Sequence, residues 1–160
     1  MNLLRFLVLL ALAVWIGALV FFSVVAQISF STLPSVHLAG LVVRNSLVAL
    51  HWMGMPAGGL FLASSLLENR LARGSWAALY TTHLIIAIMI ALTAISQFKI
   101  IPRMDQLRLV AGEIASLPAG DALRIQFDSL HAWASRLEGT VLVLGIFVLY
   151  LTTRRLASRA

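Results

Sequence analysis

Arg44, His51, His83, His131, Arg136 and Glu138 are ionisable side chains set inside otherwise apolar stretches of this chain. In hydrocarbon such a group costs from a few to more than ten kcal/mol, so it belongs in a bundle interior or a polar cavity, beside a companion. Spacing groups them further. Asp128, His131, Ser135 and Glu138 fall at i, i+3, i+7 and i+10 and share one helical face. His37, Arg44 and His51 recur at seven-residue intervals, about two turns, and form a second polar stripe. Counting about 1.5 Å per residue from the arginine-rich ends puts His51 and Glu138 at about 24 Å. The same count puts Arg44, His131, Gln27 and Gln97, one from each helix, at about 33 Å. The expectation is a polar rung with a His51–Glu138 pair beneath it. Arg44, His51, His131, Glu138, Asp128, Gln27 and Gln97 are then candidate residues for binding a cation, a proton or a small solute.

Two other chemistries use the same residues. Arg44 paired with Glu138 or Asp128, and histidines bonded to backbone carbonyls, would only hold helices in register, at about 0.6 kcal/mol per contact on average. His37, His131 and Asp128 are candidates for copper or zinc, although no short ligand spacing such as HxxxH supports them. Haem of the b type needs two imidazoles facing each other at one depth, whereas His51 and His83 differ by about 12 Å in the same count. No cofactor is therefore expected. No enzymatic reaction is expected either, because nucleophile elbow, P-loop, dinucleotide fingerprint and HExxH are all absent from the sequence.

The elements that must position these residues follow from composition. The chain has 160 residues, 61% hydrophobic and 11% charged, far from the globular mix of about half apolar and a quarter charged. The apolar residues gather into runs of the roughly 20 needed to cross about 30 Å of hydrocarbon. The net charge of +6 is not a nucleic-acid signal: Arg5, Arg70, Arg73, Arg154, Arg155 and Arg159 flank apolar runs, and no basic face interleaves aromatics. Without cysteine there is no disulfide, thiolate metal site or iron–sulfur cluster.

The fold expected is an all-α integral membrane protein, a single domain of four transmembrane helices over about 5–31, 36–67, 75–101 and 122–153. The first run, Phe6 to Phe30, outruns the 7–15 residues of a signal-peptide core and is read as a helix. Pro34 breaks it. Pro56 should kink the second helix, and Gly54, Gly58 and Gly59 with Ala57 and Ala63 are small residues suited to close helix packing. Glu68, Asn69, Arg70 and Arg73 read as a charged loop, and Trp76 and Tyr80 as interface residues opening the third helix. Between the third and fourth helices, Leu107, Val110, Ile114 and Leu117 recur opposite Arg108 and Glu113, the pattern of a short amphipathic surface helix. Asp121 should cap the last helix. Counting cations near the membrane ends gives six against four in favour of cytoplasmic N and C termini.

Three segments resemble a known family: VWIGALVFFSVVAQISFSTLP, HLAGLVVRNSLVALHWMGMPAG and FDSLHAWASRLEGTVLVLGIFVLY. They resemble the bacterial domain-of-unknown-function 4149 family, itself similar to transmembrane protein 205-like proteins, and Trp15, Gly17, Ala39, Gly40, Phe127, Leu130 and His131 match its pattern. Where the family commonly carries a polar residue after His131, this chain has Arg136 and Glu138. The resemblance implies a small four-helix membrane protein of uncharacterised activity, with animal relatives linked to metal-drug resistance. The function expected is a bacterial inner-membrane protein that binds, or helps to move, a cation or small solute through an outward-facing polar site. The alternatives are a redox protein with haem or copper, and an accessory or assembly factor for a membrane complex. Its expected partners are the lipid bilayer and further copies of itself, with no nucleic acid.

Overall fold

The computed structural model describes residues 1–74 and 81–157. The expected helix start at Ser75, the interface residues Trp76 and Tyr80, and Arg159 lie outside them. Five α-helices carry the fold: α1 (Asn2–Thr32), α2 (Val36–Arg73), α3 (Thr81–Ile95), α4 (Ile101–Ala111) and α5 (Ala122–Ala157). A π-helical turn, Ser96–Ile100, joins α3 to α4, so that Thr81–Ala111 runs as one helical segment. Four helical segments are thus long and apolar enough to cross a membrane, and no strand occurs among the described residues.

Local chemistry accounts for the ends. Leu33, in extended conformation, closes α1, and Pro34 follows it. Ser35 begins α2 by accepting a bond from the Leu38 amide at 3.1 Å, which supplies one of the four amides a helix start leaves unpaired. Asp121 Oδ1 does the same for α5, 2.8 Å from the Leu123 amide, as the sequence predicts. α2 passes through Pro56 and continues to Gly74, whose left-handed φ of 68° is the conformation glycine adopts without penalty at a helix C-terminus.

Residues 68–73 were expected as a loop, but they form the last turns of α2. Glu68 is 3% exposed and Asn69 is fully buried. They are held from both sides: Arg5 Nε of α1 lies 3.0 Å from Glu68 Oε1, Arg155 of α5 lies 3.9 Å from Glu68 Oε2, and Arg155 also donates to Asn69 Oδ1. A helix end rich in charge looks like a loop only while its partners on other helices are unknown. This cluster ties α1, α2 and α5 together at the end of the bundle that holds both termini.

The region after Ile101 differs in the same way. Instead of folding back as a separate surface helix, it extends the third membrane segment through α4 and ends at Gly112. Leu107 and Ile114 are buried, but Val110 is 75% exposed and Leu109 86%, so the apolar stripe read from the sequence is not a single face. Only a 3-10 turn, Ile114–Ser116, remains of the expected surface element.

Above the charged cluster lies a dry apolar layer made of Leu12, Trp15, Phe61, Ile86, Met89 and Val141, each at most 2% exposed. Trp15 of α1 sits against Gly54 and Gly58 of α2. A Cβ at Gly54 would come within 2.3 Å of Trp15 Nε1, and one at Gly58 within 2.6 Å of Trp15 Cζ3. The four-residue spacing of these glycines opens a slot along one helix face, and the indole fills it. Toward the hairpin end, Ile100 and Met104 pack on Ala134, Phe127, Leu130 and Leu137 to seat α4 on α5. Gly54→Ala should lower stability in detergent by about 1–3 kcal/mol through overpacking. Gly59→Ala, whose Cβ meets nothing within 4 Å, should be neutral or stabilising by up to about 1 kcal/mol. Thermal unfolding of the two variants side by side checks this.

Candidate functional site

His51 is fully buried in α2, and both of its ring nitrogens are engaged. Nδ1 lies 2.8 Å from Gln97 Oε1 and Nε2 lies 2.7 Å from Glu138 Oε1. One imidazole therefore bridges three membrane segments. Nε2 can donate to the Glu138 carboxylate, and Nδ1 can donate to Gln97 Oε1 or, with that amide turned over, accept from its NH₂. Glu138, on α5, is 11% exposed. Its second oxygen, Oε2, is buried and has no hydrogen-bond donor among the described residues. Thr93 Oγ1 and Ser96 Oγ, buried on the same segment as Gln97, also lack a partner among the described residues.

Gln97 owes its position to the π turn. Pro102 has no amide hydrogen and its ring would clash with the carbonyl four residues back. The chain accommodates it by widening the preceding turn, where the Ile101 amide reaches back five residues to the Ser96 carbonyl. The widened turn lies at the level of His51, and π turns of this kind occur frequently at functional sites.

From Glu138, the member of the triad that lines it, a cavity of about 700 Å³ extends away from the end holding Arg5 and Arg155, walled by α1, α2, α4 and α5. Most of its lining is apolar, with Phe22 and Phe30 of α1 facing Phe127 of α5. Asp128, His131, Ser135 and Gly139 line it and are exposed as well, so the cavity is open on the α5 side. Its polar groups lie toward the mouth. Arg44 grips Asp105 of α4 with two bonds, Nε to Oδ1 at 3.2 Å and Nη2 to Oδ2 at 2.5 Å. Arg108 Nη1 lies 3.5 Å from the same carboxylate, and its guanidinium stacks 4.9 Å from the centre of the Phe127 ring. Arg124 donates to the Leu117 carbonyl at 2.6 Å. Arg44 and Arg124 are thus hydrogen-bonded within the wall, whereas Arg108 Nη1 is buried with an ion-pair contact to Asp105 but no hydrogen bond among the described residues. Glu138 Oε2 is a buried carboxylate oxygen of the lining without a donor among them.

The structure brings together His51, Gln97 and Glu138, and it places Arg44, His37, His131 and Asp128 around the same cavity. Gln97 stands beside His51 rather than a rung above it, because α2 and the third segment do not share the untilted frame that residue counting assumes. Arg44 pairs with Asp105, not with Glu138 or Asp128. Gln27 does not join the site: it is exposed on α1, and the α1 face lining the cavity is that of Phe22, Ser23, Ala26 and Phe30. His37, His131 and Asp128 share the cavity, yet no three His, Asp or Glu side chains converge as a metal ion requires among the described residues. Asp128 is 67% exposed, with only Arg124 near it at 3.9 Å. His51 keeps neither ring nitrogen free for a haem iron, and His83 packs edge-on against Phe61, 6.4 Å between ring centres. Asp105 and Arg108 escaped the sequence reading because the third membrane helix was ended at about 101 and the stretch after it was read as a surface helix. Continued from Gln97 at helical spacing, the same stretch carries Ile101, Asp105 and Arg108 along one face.

The chain belongs to the DUF4149 family, a domain of unknown function whose model matches residues 10–113. No curated protein and no solved structure matches it. The matched stretch holds His37, Arg44, His51, Gln97, Asp105 and Arg108, whereas Asp128, His131 and Glu138 lie beyond it on α5.

His51→Phe strands a buried carboxylate and should cost about 3 kcal/mol. His51→Phe combined with Glu138→Leu removes both polar partners and should recover most of that loss. Equilibrium unfolding in mixed micelles of the wild type, both single variants and the double variant measures the coupling.

Proposed function

We propose that this membrane protein binds a small organic cation, taken up through the open side of the cavity and neutralised at its floor by Glu138. The observation that carries the reading is Glu138 Oε2, a buried carboxylate oxygen at the edge of a largely apolar cavity with no donor among the described residues. Buried polar atoms normally have a partner, and an exception calls for an explanation. A bound cation supplies one. The walls suit an organic cation better than a bare metal ion, because they offer aromatic faces and their carboxylates do not converge in a group of three among the described residues. On this reading Arg44, Asp105 and Arg108 shape the mouth and hold α2 to α4, while His51 and Gln97 orient the carboxylate.

The closed apolar layer beneath His51 favours binding over an open channel. Movement across the membrane would call on a conformational change or on a second copy of the chain. The sidedness we propose puts both termini in the cytoplasm of a bacterial cell and the cavity on the outer side of its inner membrane, following the distribution of arginines.

Binding of benzyltrimethylammonium to protein in lipid nanodiscs, followed by equilibrium dialysis, tests the proposal. Glu138→Gln should weaken binding at least tenfold, and Gln27→Ala, on the far face of α1, should leave it unchanged. Equal affinity in wild type and Glu138→Gln would overturn the reading.

A further inference from the structure

We infer that the site exchanges its cation for a proton, and that the proton is the one on His51 Nδ1. The inference rests on the cation-binding reading above. Its starting point is that His51 faces an oxygen at each nitrogen, Gln97 Oε1 at 2.8 Å and Glu138 Oε1 at 2.7 Å. Without a cation, the imidazolium balances the Glu138 carboxylate and the buried pair is neutral overall. A cation entering beside Glu138 Oε2 would leave one positive charge in excess in a region of low dielectric, where an uncompensated charge is strongly disfavoured. Releasing one proton restores neutrality.

Gln97 is the residue that permits both states. Its side-chain amide offers an acceptor at one end and two donors at the other, and a half-turn about the terminal torsion exchanges them. With Oε1 forward it accepts from Nδ1–H; with its NH₂ forward it donates to the bare Nδ1 lone pair. Through both states Nε2–H keeps donating to Glu138, so the carboxylate stays fixed. The balance is one cation in and one proton out. One N–H bond breaks at Nδ1, the proton ends bonded to solvent water or buffer, and no electron is transferred. A leucine at position 97 could serve neither state, and a glutamate would favour only the protonated ring.

Other titratable and charged groups around the pair are accounted for. The cavity face of α1 carries none, and close to Gln97 its own segment buries the hydroxyls of Thr93 and Ser96. Arg44 on α2 and Asp105 and Arg108 on α4 are bound to one another. At the mouth lie Glu113, Arg124 and Asp128. Two further histidines, His37 and His131, line the cavity and are the rival source of any proton released.

The test uses full-length protein in lipid nanodiscs and benzyltrimethylammonium, a fixed-charge cation with no proton of its own to lose. Proton release on binding is read with a pH indicator in weak buffer, and affinity is measured from pH 5 to 8. We expect up to one proton released per cation bound, and an affinity that rises with pH by up to tenfold per unit. His37→Gln/His131→Gln should retain both effects. Gln97→Glu should bind the cation with the proton release suppressed. Binding with no proton release, or release that disappears in His37→Gln/His131→Gln, overturns the exchange while leaving the cation site standing. Absence of binding in the wild type overturns the cation reading itself.

Discussion

A single imidazole in the middle of the bundle sets the terms for everything around it. His51 is fully buried, and it reaches Gln97 on one segment and Glu138 on another. In an apolar surrounding neither a carboxylate nor an imidazolium is tolerated alone, so these three helices must meet at this level and in this rotation. Helix packing by shape alone leaves register soft, because one aliphatic side chain substitutes readily for another. Two bonds to one ring leave no such freedom.

The remaining architecture serves that meeting. Below it, Trp15 lodged in the Gly54–Gly58 slot brings α1 against α2 and closes the bundle with dry packing. Below that again, Arg5, Glu68, Asn69 and Arg155 clamp the end holding the termini. On the other side, the π turn forced by Pro102 places Gln97 at the level of His51, and the Arg44–Asp105 pair holds the mouth. The apolar Trp15–Phe61–Met89 layer therefore lies between the charged clamp at the termini and the His51 triad.

Much of this was legible in the sequence, and the parts that were not share one cause. The membrane helices follow from runs of apolar residues, and the convergence of His51 and Glu138 follows from their common depth. Both are properties of single helices or of simple counting. Glu68 and Asn69 read as a loop, and Asp105 and Arg108 as the wet side of a surface helix, because their partners Arg5, Arg155 and Arg44 lie more than sixty residues away along the chain. A buried charge and an exposed charge are the same letter until the opposite helix is known. Gln27 is the converse case: a polar residue counted into the site stands on the exposed face of α1, away from the cavity. The rotation of α1 is set by Trp15, whose slot was read only as a stripe of small residues.

The account depends on the contact between His51 and Glu138 in a lipid bilayer. Magic-angle-spinning NMR of protein reconstituted in liposomes, with nitrogen-15 in histidine and carbon-13 in glutamate carboxyls, measures it directly. We expect a strong dipolar coupling between the His51 Nε2 and the Glu138 carboxyl carbon, consistent with the 2.7 Å nitrogen–oxygen separation, and its loss in Glu138→Leu. No coupling between these two groups, with the His51 ring hydrogen-bonded elsewhere, would contradict the account.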